Sequence, residues 1–480
     1  MSGAGENGSS GPHVAGGGGP EAARPAGSGR AGSATAAGAA LDHAGGPPAT
    51  ILLRGARLFD PRAGIDQAAD LLIRDGQVAE IGDSLEAPEG AELVEAEGLQ
   101  AFPAFVDPHV HLRTPGREDE EDIDSGTRAA AAGGFCAIVA QPNTDPVVDS
   151  APVLQALRER ARAEARVPTS FMAAITVGQR GEQLTEMAEL ADAGAAGFTD
   201  DGLPVRSAGV MHQALQYQRL AGRTLALHEE DPSLSGRGVM HEGDMSALLG
   251  LAGIPSVSES AMVARDCALA AYEQGRIHVQ HLSARETVEV IAHAKQAGVK
   301  VTCEATPHHL LLTEEAVRTL DTNAKMNPPL RSEADREALI EGLRSGVIDC
   351  VATDHAPHAR EEKEQPFEVA PMGVTGLETS FAALHTGLVM TGILELGTLI
   401  ERMTCGGQPF GLSTPSLAKG SPADVCLVDL GAEWLVGEAG YESRSTNCAF
   451  GGRSLTGRVR MTVAAGSVAY RERTFALGAV

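Results

Sequence analysis

The apolar positions of the chain fall into short runs whose spacing changes along its length. In the middle of the chain, continuous apolar runs alternate with stretches in which apolar residues recur every three or four positions, such as "APVLQALRERARAEA" and "EADREALIEGLRSG". The first kind predicts buried strands and the second predicts amphipathic helices. A helical stretch follows each of eight predicted strands, which end near His109–His111, Asn143, Val177, Asp201, His228, His281, His308 and Asp354.

Repeated strand–helix units predict an α/β protein with a parallel sheet. Eight units within residues 103–412 predict a closed (β/α)8 barrel of the TIM type. A doubly wound open sheet is the alternative, but such sheets usually have fewer strands and often carry a glycine-rich phosphate loop. No convincing loop of that kind is found in the sequence.

The two ends of the chain have a different pattern from the middle. Short β-type runs such as "ATILLRGARLFD" and "SPADVCLVDL" are separated by Asp-Gly and Gly turns. We therefore expect residues 50–102 and 413–480 to pair into one small β-sandwich domain. Residues 1–49 consist mainly of Gly, Ala, Ser and Pro, and this composition predicts a disordered tail.

Composition and charge narrow the function classes. The net charge of −26 argues against a nucleic-acid or anionic membrane surface, so an anionic substrate would need a local positive pocket. The 7 cysteines are widely spaced and lack a C-x-x-C pair, which indicates reduced thiols in a cytoplasmic protein. The sequence shows neither a membrane-spanning apolar stretch nor a secretory signal.

Candidate metal ligands follow the predicted strands. In "DPHVHLRTPG", His109 and His111 are two positions apart, so a strand would direct both imidazoles to one face. Barrel enzymes carry their chemistry at these strand ends, where further histidines and aspartates are expected to converge. Nitrogen and oxygen ligands without thiolates suit zinc or another borderline divalent ion. Four histidines and two aspartates are more ligands than one catalytic zinc ion needs. They fit two metal ions that share a bridging carboxylate from the fourth strand.

These residues lie within longer motifs that resemble the cyclic amidohydrolase superfamily, and within it the bacterial dihydroorotases of the larger, type I class. The resemblance covers about residues 50–475, and its motifs occur in the order found in the family. They are "FVDPHVHLR", "PNTDPVVD", "GFTDDG", "HEED", "HVQHLS", "EATPHHL", "KMNPPLR", "IDCVATDHAPH" and "APMGVTGLETS".

The resemblance implies a barrel with a small β-domain built from both chain ends, and two bound Zn²⁺ ions. It implies that His109, His111 and Asp354 bind one metal. His228 and His281 would bind the second. Asp201 would bridge the two, and Asp200 would have a supporting or turn role.

The implied reaction is the reversible interconversion of N-carbamoyl-L-aspartate and L-dihydroorotate in pyrimidine synthesis. A metal-bridged hydroxide would attack the ring amide, and Asp354 would transfer the proton to the leaving nitrogen. Arg113 would bind the substrate carboxylate with its guanidinium fork. The other residues that match substrate-binding motifs are His111, Asn143, Asn327, His358, Met372 and Gly373.

The acidic run Glu118–Asp124 follows Arg113 closely and is expected to be a solvated loop and helix start. A surface ion pair with this run is the alternative role for Arg113. The chain departs from the family pattern at Thr114, Gln141 and Met372. None of these is an expected metal ligand, so the departures concern substrate affinity.

Two rival functions remain open at this point. An allantoinase or hydantoinase would typically carry a carbamylated lysine after strand four, whereas "GFTDDG" contains no lysine. A catalytically inactive partner of aspartate carbamoyltransferase would be expected to lose metal ligands, and the chain retains the full set. Superfamily barrels commonly self-associate, so a homo-oligomer is expected, and association with an aspartate carbamoyltransferase is a further hypothesis.

Overall fold

The structure is a computed structural model, and it describes residues 38–473 and residue 475. The part of the predicted tail before residue 38 therefore lies outside the described residues. None of the described helices is both long and apolar enough to cross a bilayer. The strands are β1 Ile51–Asp60, β2 Ile65–Arg74, β3 Gln77–Gly82, β4 Glu92–Glu95, β5 Gln100–Pro103, β6 Phe105–Val110, β7 Phe135–Ala140, β8 Thr169–Phe171, β9 Gly197–Phe198, β10 Thr224–Leu227, β11 Met240–His241, β12 Gly253–Ile254, β13 Arg276–Val279, β14 Lys300–Ala305, β15 Cys350–Val351, β16 Val425–Leu435, β17 Ser454–Ala464 and β18 Ser467–Arg471. The α-helices are α1 Ile123–Ala132, α2 Ala151–Glu164, α3 Met187–Asp192, α4 Ala208–Ala221, α5 Pro232–Ser235, α6 Asp244–Leu249, α7 Val257–Glu273, α8 Arg285–Gln296, α9 Pro307–Leu311, α10 Glu333–Ser345, α11 Arg360–Lys363, α12 Ser380–Leu384 and α13 Leu396–Thr404.

The predicted α/β class is confirmed. Strands β6, β7 and β8 form one parallel sheet, and β9, β10, β13, β14 and β15 form a second in that order. Isolated parallel bridges join the two sheets at both sides, between Ala173 and Phe198 and between Val110 and His355. Every residue of β6 and β7 is buried, which explains the continuous apolar runs in the sequence.

Capping residues in the sequence determine where several helices begin and end. Helix α10 starts at a capping box in which the Ser332 side chain and the side chain of Asp335 each bind the other's backbone N–H. It ends at Gly346, which has a φ of +85° and so adopts the left-handed conformation that favours glycine. Helix α10 packs against α8, which in turn packs against the parallel strand β14.

The two ends of the chain meet in one eight-stranded sheet with the order β18-β17-β16-β5-β1-β2-β3, in which β4 pairs with β1. The joining pair is antiparallel β5 and β16, with Ala101 opposite Leu427. Leu53, Ile73, Leu427 and other aliphatic side chains form a separate core within this region. Strands from both ends of the chain therefore belong to one sheet.

The prediction of a disordered tail is wrong for residues 38–49: Asp42 pairs with the parallel strand β8, and Ala49 hydrogen-bonds to Gly76 and Gly466 near the chain-end sheet. Asp42 and Thr169 exchange two backbone hydrogen bonds of 2.9 Å each, and Ala39 contacts a buried apolar cluster. The Asp42 carboxylate accepts hydrogen bonds from Arg158 Nε at 2.6 Å and Arg162 Nε at 2.9 Å. A segment whose side chains are too small and polar to form a core can still be ordered by pairing with a neighbouring strand edge and by an ion pair.

Replacing Asp42 by alanine is expected to lower the free energy of unfolding by about 1–3 kcal/mol, because two guanidinium groups lose a largely buried carboxylate. Urea denaturation measures this change. Asp66→Ala is the control, since Asp66 pairs with Arg57 at an exposed site and should change stability by about 0.5 kcal/mol or less. If both substitutions lowered the free energy of unfolding equally, the Asp42 ion pairs would stabilise the protein no more than an exposed ion pair does.

Candidate metal centre and active site

Four histidines and two aspartates from different strand ends lie together at the carboxyl edge of the parallel strands. None of them is more than 6% exposed. They come from β6 or the residues that follow β6, β9, β10, β13 and β15: His109, His111, Asp201, His228, His281 and Asp354. The structure therefore brings together the full set of predicted ligands.

The Asp201 carboxylate is at the centre of this group. Its Oδ1 atom lies 3.5 Å from His109 Nε2, 3.5 Å from His281 Nε2 and 3.7 Å from His228 Nδ1. Its Oδ2 atom lies 3.4 Å from His111 Nε2. One carboxylate thus faces four imidazoles, three through Oδ1 and one through Oδ2.

The Asp354 carboxylate also faces the Nε2 atoms of His109 and His111. Its Oδ1 atom lies 3.2 Å from His111 Nε2 and 3.5 Å from His109 Nε2. Four groups of described side chains have ligand atoms close enough to share an ion. Two of them lie at this site and include His109: one adds His111 and Asp354, and the other adds Asp201 and His281. The other two are His278 with Glu304 and Cys350, and Glu120 with His358 and Glu362.

The donor set fits a metal ion. His109 Nε2 and Asp201 Oδ1 are buried, and neither has a hydrogen-bond partner among the described residues. Ligands held about 2.0–2.1 Å from a tetrahedral zinc ion lie about 3.3–3.4 Å from each other, close to the separations found here. The site contains only nitrogen and oxygen ligands, which suit zinc and similar divalent ions.

The electrostatics of the site also favour a cation. Burial alone would raise the pKa of Asp201, but the charge of His109 and the close approach of the surrounding imidazoles hold it well below its usual range. The same balance keeps the pKa of Asp354 low. Burial opposes the charged form of His228, but Asp201 and Glu230 together raise its pKa to about 9. The two buried carboxylates therefore require positive charge, which protons or a metal ion can supply.

Hydrogen bonds on the outer side of the rings orient their inner nitrogens. His109 Nδ1 donates to Glu304 Oε1 at 2.7 Å, and His111 Nδ1 donates to Asn143 Oδ1 at 2.9 Å. In a neutral ring with its proton on Nδ1, Nε2 carries no proton and faces the carboxylates, as a metal ligand must. Partners of this kind fix the ring tautomer and orientation in metal sites.

Three residues at the site have a backbone conformation that side chains other than glycine rarely adopt. The φ angles are +54° for Arg113, +32° for His281 and +47° for Asp354. Such conformations cost of order 1–3 kcal/mol each and persist where the surrounding structure holds them. Their occurrence at three strand ends directs these side chains towards one cavity.

A cavity of about 230 Å³ opens beside the six residues. This volume is below the range typical of drug-sized ligands, so it suits a small molecule. All the predicted substrate-contact residues line it: His111, Arg113, Asn143, Asn327, His358, Met372 and Gly373.

Arg113 is held in the cavity wall by buried partners. Its Nε atom donates to Pro357 O at 3.0 Å and lies 3.2 Å from Glu120 Oε2. Glu120 is 1% exposed and also accepts a hydrogen bond from His358 Nδ1 at 3.2 Å. The ion pair that was the alternative role of Arg113 is therefore present, but it is buried and leaves the guanidinium on the cavity.

The expectation of a solvated acidic run is wrong for Glu120 and Glu121. Glu121 is fully buried, accepts hydrogen bonds from Ser443 and Arg444, and lies 3.1 Å from His355 Nε2. Asp122 caps helix α1, so the predicted helix start is correct. Some side chains of the acidic run lie in solvent and others in the interior. The uniformly acidic sequence does not distinguish the two.

Sequence reasoning missed two carboxylates that support the site. Glu304 on β14 binds His109 on one oxygen and His278 Nε2 at 2.9 Å on the other. Glu230 accepts a hydrogen bond from Asn327 Nδ2 at 2.8 Å and lies 3.7 Å from His228 Nε2. The available signal for Glu304 was a charged residue within the apolar run of a buried strand.

Asp200, the other aspartate of the pair, points away from the imidazoles. Its carboxylate accepts hydrogen bonds from Ile175 N at 2.9 Å, from Thr176 N at 3.0 Å and from the Thr176 hydroxyl. Burial raises the pKa of Asp200 to about 6, although these hydrogen bonds oppose the shift. The structure thus places Asp201, and not Asp200, among the candidate ligands.

Comparisons with known proteins agree with this geometry. A family model described as Dihydro-orotase-like matches residues 99–287. A dihydroorotase of Geobacter sp. (strain M21) is 46% identical over 88% of this chain and 99% of its own, and one of Anaeromyxobacter sp. (strain K) is 45% identical over 88% and 98%. Among solved structures, an L-hydantoinase (dihydropyrimidinase) from Arthrobacter aurescens superposes with a TM-score of 0.78 at 26% identity, over 87% of this chain and 95% of that one.

The relatives named as dihydroorotases are matched over nearly their whole length. The hydantoinase shares the arrangement of the fold at a lower identity. On this similarity the chain belongs to the dihydroorotase family, whose enzymes are hydrolases of cyclic amide bonds.

Proposed function

We propose that the protein interconverts N-carbamoyl-L-aspartate and L-dihydroorotate in pyrimidine synthesis. The observation that carries this proposal is the placement of Arg113 and Asn143 on the same small cavity as the His/Asp centre. Both forms of the substrate carry carboxylates, and the guanidinium supplies the local positive charge that a protein of net charge −26 otherwise lacks. The dihydroorotase relatives support the same assignment.

The proposed cofactor is a pair of Zn²⁺ ions. His109, His111 and Asp354 would hold one ion, and His228 and His281 the other, with Asp201 between them. When bound, the ions would lower the pKa of the attacking water and polarise the amide carbonyl. The unpartnered, buried His109 Nε2 and Asp201 Oδ1 atoms support this occupancy.

The residues of the chain would then bind the substrate and move one proton. Arg113 and Asn143 orient the ring through its carboxylate and amide groups. The Asp354 carboxylate, which faces His109 and His111, would accept the proton of the attacking water. The same oxygen then gives the proton to the ring nitrogen as the amide C–N bond breaks. In the ring-closing direction Asp354 removes that proton from the ureido nitrogen.

A hydantoinase or allantoinase activity is the rival proposal, and the structural likeness to an L-hydantoinase supports it. No lysine is among the residues that line the cavity, and the residues after β9 are Thr199, Asp200 and Asp201. Asp201 thus takes the position where those enzymes would typically carry a modified lysine. The dihydroorotase proposal is favoured for this reason.

The deciding experiment is ring opening by the purified, zinc-loaded protein of L-dihydroorotate, with allantoin and dihydrouracil tested in parallel. Turnover of dihydroorotate alone would support the proposal. Turnover of either other ring would overturn the assignment of Arg113 and Asn143 to a carboxylated substrate. A protein that binds zinc but turns over none of the three would favour the inactive partner of aspartate carbamoyltransferase.

The finer architecture is part of the proposal. We propose that residues 103–412 form a closed (β/α)8 barrel and that residues 50–102 and 413–480 form a composite β-domain of the sandwich type. The two isolated bridges between the parallel sheets support barrel closure.

A cytoplasmic location is supported by the 7 free, buried cysteines. Self-association and docking of an aspartate carbamoyltransferase would be tested by light scattering of the protein alone and with that enzyme.

Replacing Glu304 by glutamine is expected to weaken zinc binding about 10- to 100-fold, because His109 loses the carboxylate that orients its ring. Titration of the protein with zinc against a competing chelator measures this change. Glu378→Gln is the matched control, because Glu378 is a largely buried carboxylate that accepts two backbone N–H groups away from the site. Equal zinc affinity in both variants would contradict the role of Glu304.

A further inference from the structure

Two buried lysines lie beneath the chain segment that forms one wall of the cavity. We name this segment, residues 366–373, the wall segment; it ends with Met372 and Gly373, which line the cavity. Lys325 and Lys363 are 3% and 7% exposed. Lysine is almost never buried to this extent without a partner of opposite charge, so both residues require an explanation.

Both ammonium groups bind backbone carbonyls of the wall segment. Four carbonyls are involved: Phe367 at 2.5 Å and Ala370 at 2.6 Å from Lys325 Nζ, and Pro371 at 3.1 Å and Gly373 at 2.9 Å from Lys363 Nζ. The segment has no regular secondary structure along most of its length, so its carbonyls have few other partners. The lysines thus supply the donors that a helix or sheet would otherwise supply.

Neither lysine forms an ion pair within residues 38–473. Burial and the neighbouring charge of Lys325 lower the pKa of Lys363 to about 7. Holding two ammonium groups in the interior without a carboxylate is unfavourable, and an apolar side chain would avoid that cost. Local departures of this kind are typical of residues that serve a site.

The contacts also hold Gly373, whose surroundings leave no room for a side chain. Gly373 has a φ of +136°, and a Cβ atom at this position would come within 2.9 Å of His358 Nε2. Its N–H donates to Lys325 O at 3.0 Å, and its carbonyl accepts from Lys363. The neighbouring carbonyl of Met372 accepts from His358 Nε2 at 2.9 Å. Both ends of the Gly373 residue are therefore held by the two lysines.

We propose that Lys325 and Lys363 are positioning residues that hold the wall segment against the cavity and thereby determine how tightly substrate binds. The proposal rests on the proposed function, because it assigns the Met372–Gly373 backbone to substrate contact. A loosened wall would weaken substrate and transition state alike, so the loss should fall on KM and leave kcat close to its normal value.

The test uses the zinc-loaded, full-length Lys363→Met variant, with Lys363→Arg as the conservative variant that keeps the charge. We expect Lys363→Met to raise KM for dihydroorotate about tenfold or more while kcat changes less than about threefold. We also expect faster cleavage by a glutamate-specific protease at Glu364 and Glu368, which are exposed in and beside the wall segment. Lys363→Arg should restore most of both properties. If Lys363→Met does not fold, Lys363→Gln takes its place in both measurements.

Lys295→Met is the matched control. Lys295 also donates to a backbone carbonyl, Val347 O at 2.8 Å, but it lies outside the cavity and pairs with Asp349. An unchanged KM and an unchanged cleavage rate in Lys363→Met would overturn the proposal, even if that variant were less stable. Absence of dihydroorotate turnover in the unsubstituted protein would overturn the proposed function instead, and the cleavage rates would still decide whether the lysines hold the wall segment.

Discussion

Replacing Asp354 by asparagine is expected to reduce kcat for dihydroorotate by about a thousandfold or more. Asparagine has nearly the same shape, but it cannot accept the proton of the attacking water. General acid–base catalysis typically contributes 10²- to 10⁴-fold to a rate. The substitution also removes a negative charge that faces His109 and His111 at 3.5 and 3.2 Å. Steady-state kinetics in both reaction directions measures the loss.

The zinc content of Asp354→Asn must be measured beside its activity, because this residue is also a proposed ligand. A variant that retains zinc and loses turnover would assign the effect to proton transfer. Asp349→Asn is the control at the other end of β15: Asp349 precedes the strand, whereas Asp354 follows it, and Asp349 accepts hydrogen bonds from Lys295 Nζ at 2.6 Å and Cys303 N at 2.8 Å. It should alter stability and leave kcat unchanged. Normal turnover by Asp354→Asn would show that another group carries the proton.

Removing metal with a chelator is expected to abolish turnover and to destabilise the protein. An ion that binds only the folded state at a thousandfold excess over its Kd contributes about 4 kcal/mol to the free energy of unfolding. Its loss would leave Asp201 and Asp354 buried among imidazoles, with protons as the only source of compensating charge. The metal content, the free energy of unfolding and the turnover rate are measured on the same sample by elemental analysis, denaturant unfolding and kinetics.

Restoring the metal distinguishes the proposed centre from a nonspecific effect of the chelator. Two equivalents of zinc should restore turnover, whereas magnesium should not, because it prefers octahedral oxygen ligands and the site is rich in imidazole. His212→Ala provides a control, since His212 is a half-exposed histidine paired with Glu273 away from the site. A chelated, metal-free protein with full activity would refute the metal-dependent mechanism.

Much of the architecture follows from local patterns in the sequence. The three- and four-residue spacing of apolar positions predicts helices such as α10, whose ends at Ser332 and Gly346 are also marked by capping residues. Apolar runs predict the parallel strands, and the polar residues that end those runs include all six residues of the candidate centre. These predictions succeed because residues close in sequence determine strand and helix, and because parallel strands end at a common edge.

Other features depend on partners that are distant in sequence. Glu304 and His109 are 195 positions apart in the sequence. Lys363 binds backbone carbonyls, and the side-chain sequence gives no indication of such contacts. Glu120 belongs to an acidic run that has the composition of a solvated loop, and Asp42 belongs to a segment with the composition of a disordered tail. In each case burial and pairing were decided by what the fold places opposite the residue.

The sequence by itself therefore determined the strand–helix order, the side chains available at the strand ends and the family. Only the tertiary structure decided which carboxylates are buried, which imidazole nitrogens face inward and which lysines support the cavity wall. The physical reason is that the local sequence around a charged or polar side chain is the same whether that side chain lies in solvent or in the interior. Its environment becomes defined only when a partner from another part of the chain replaces water.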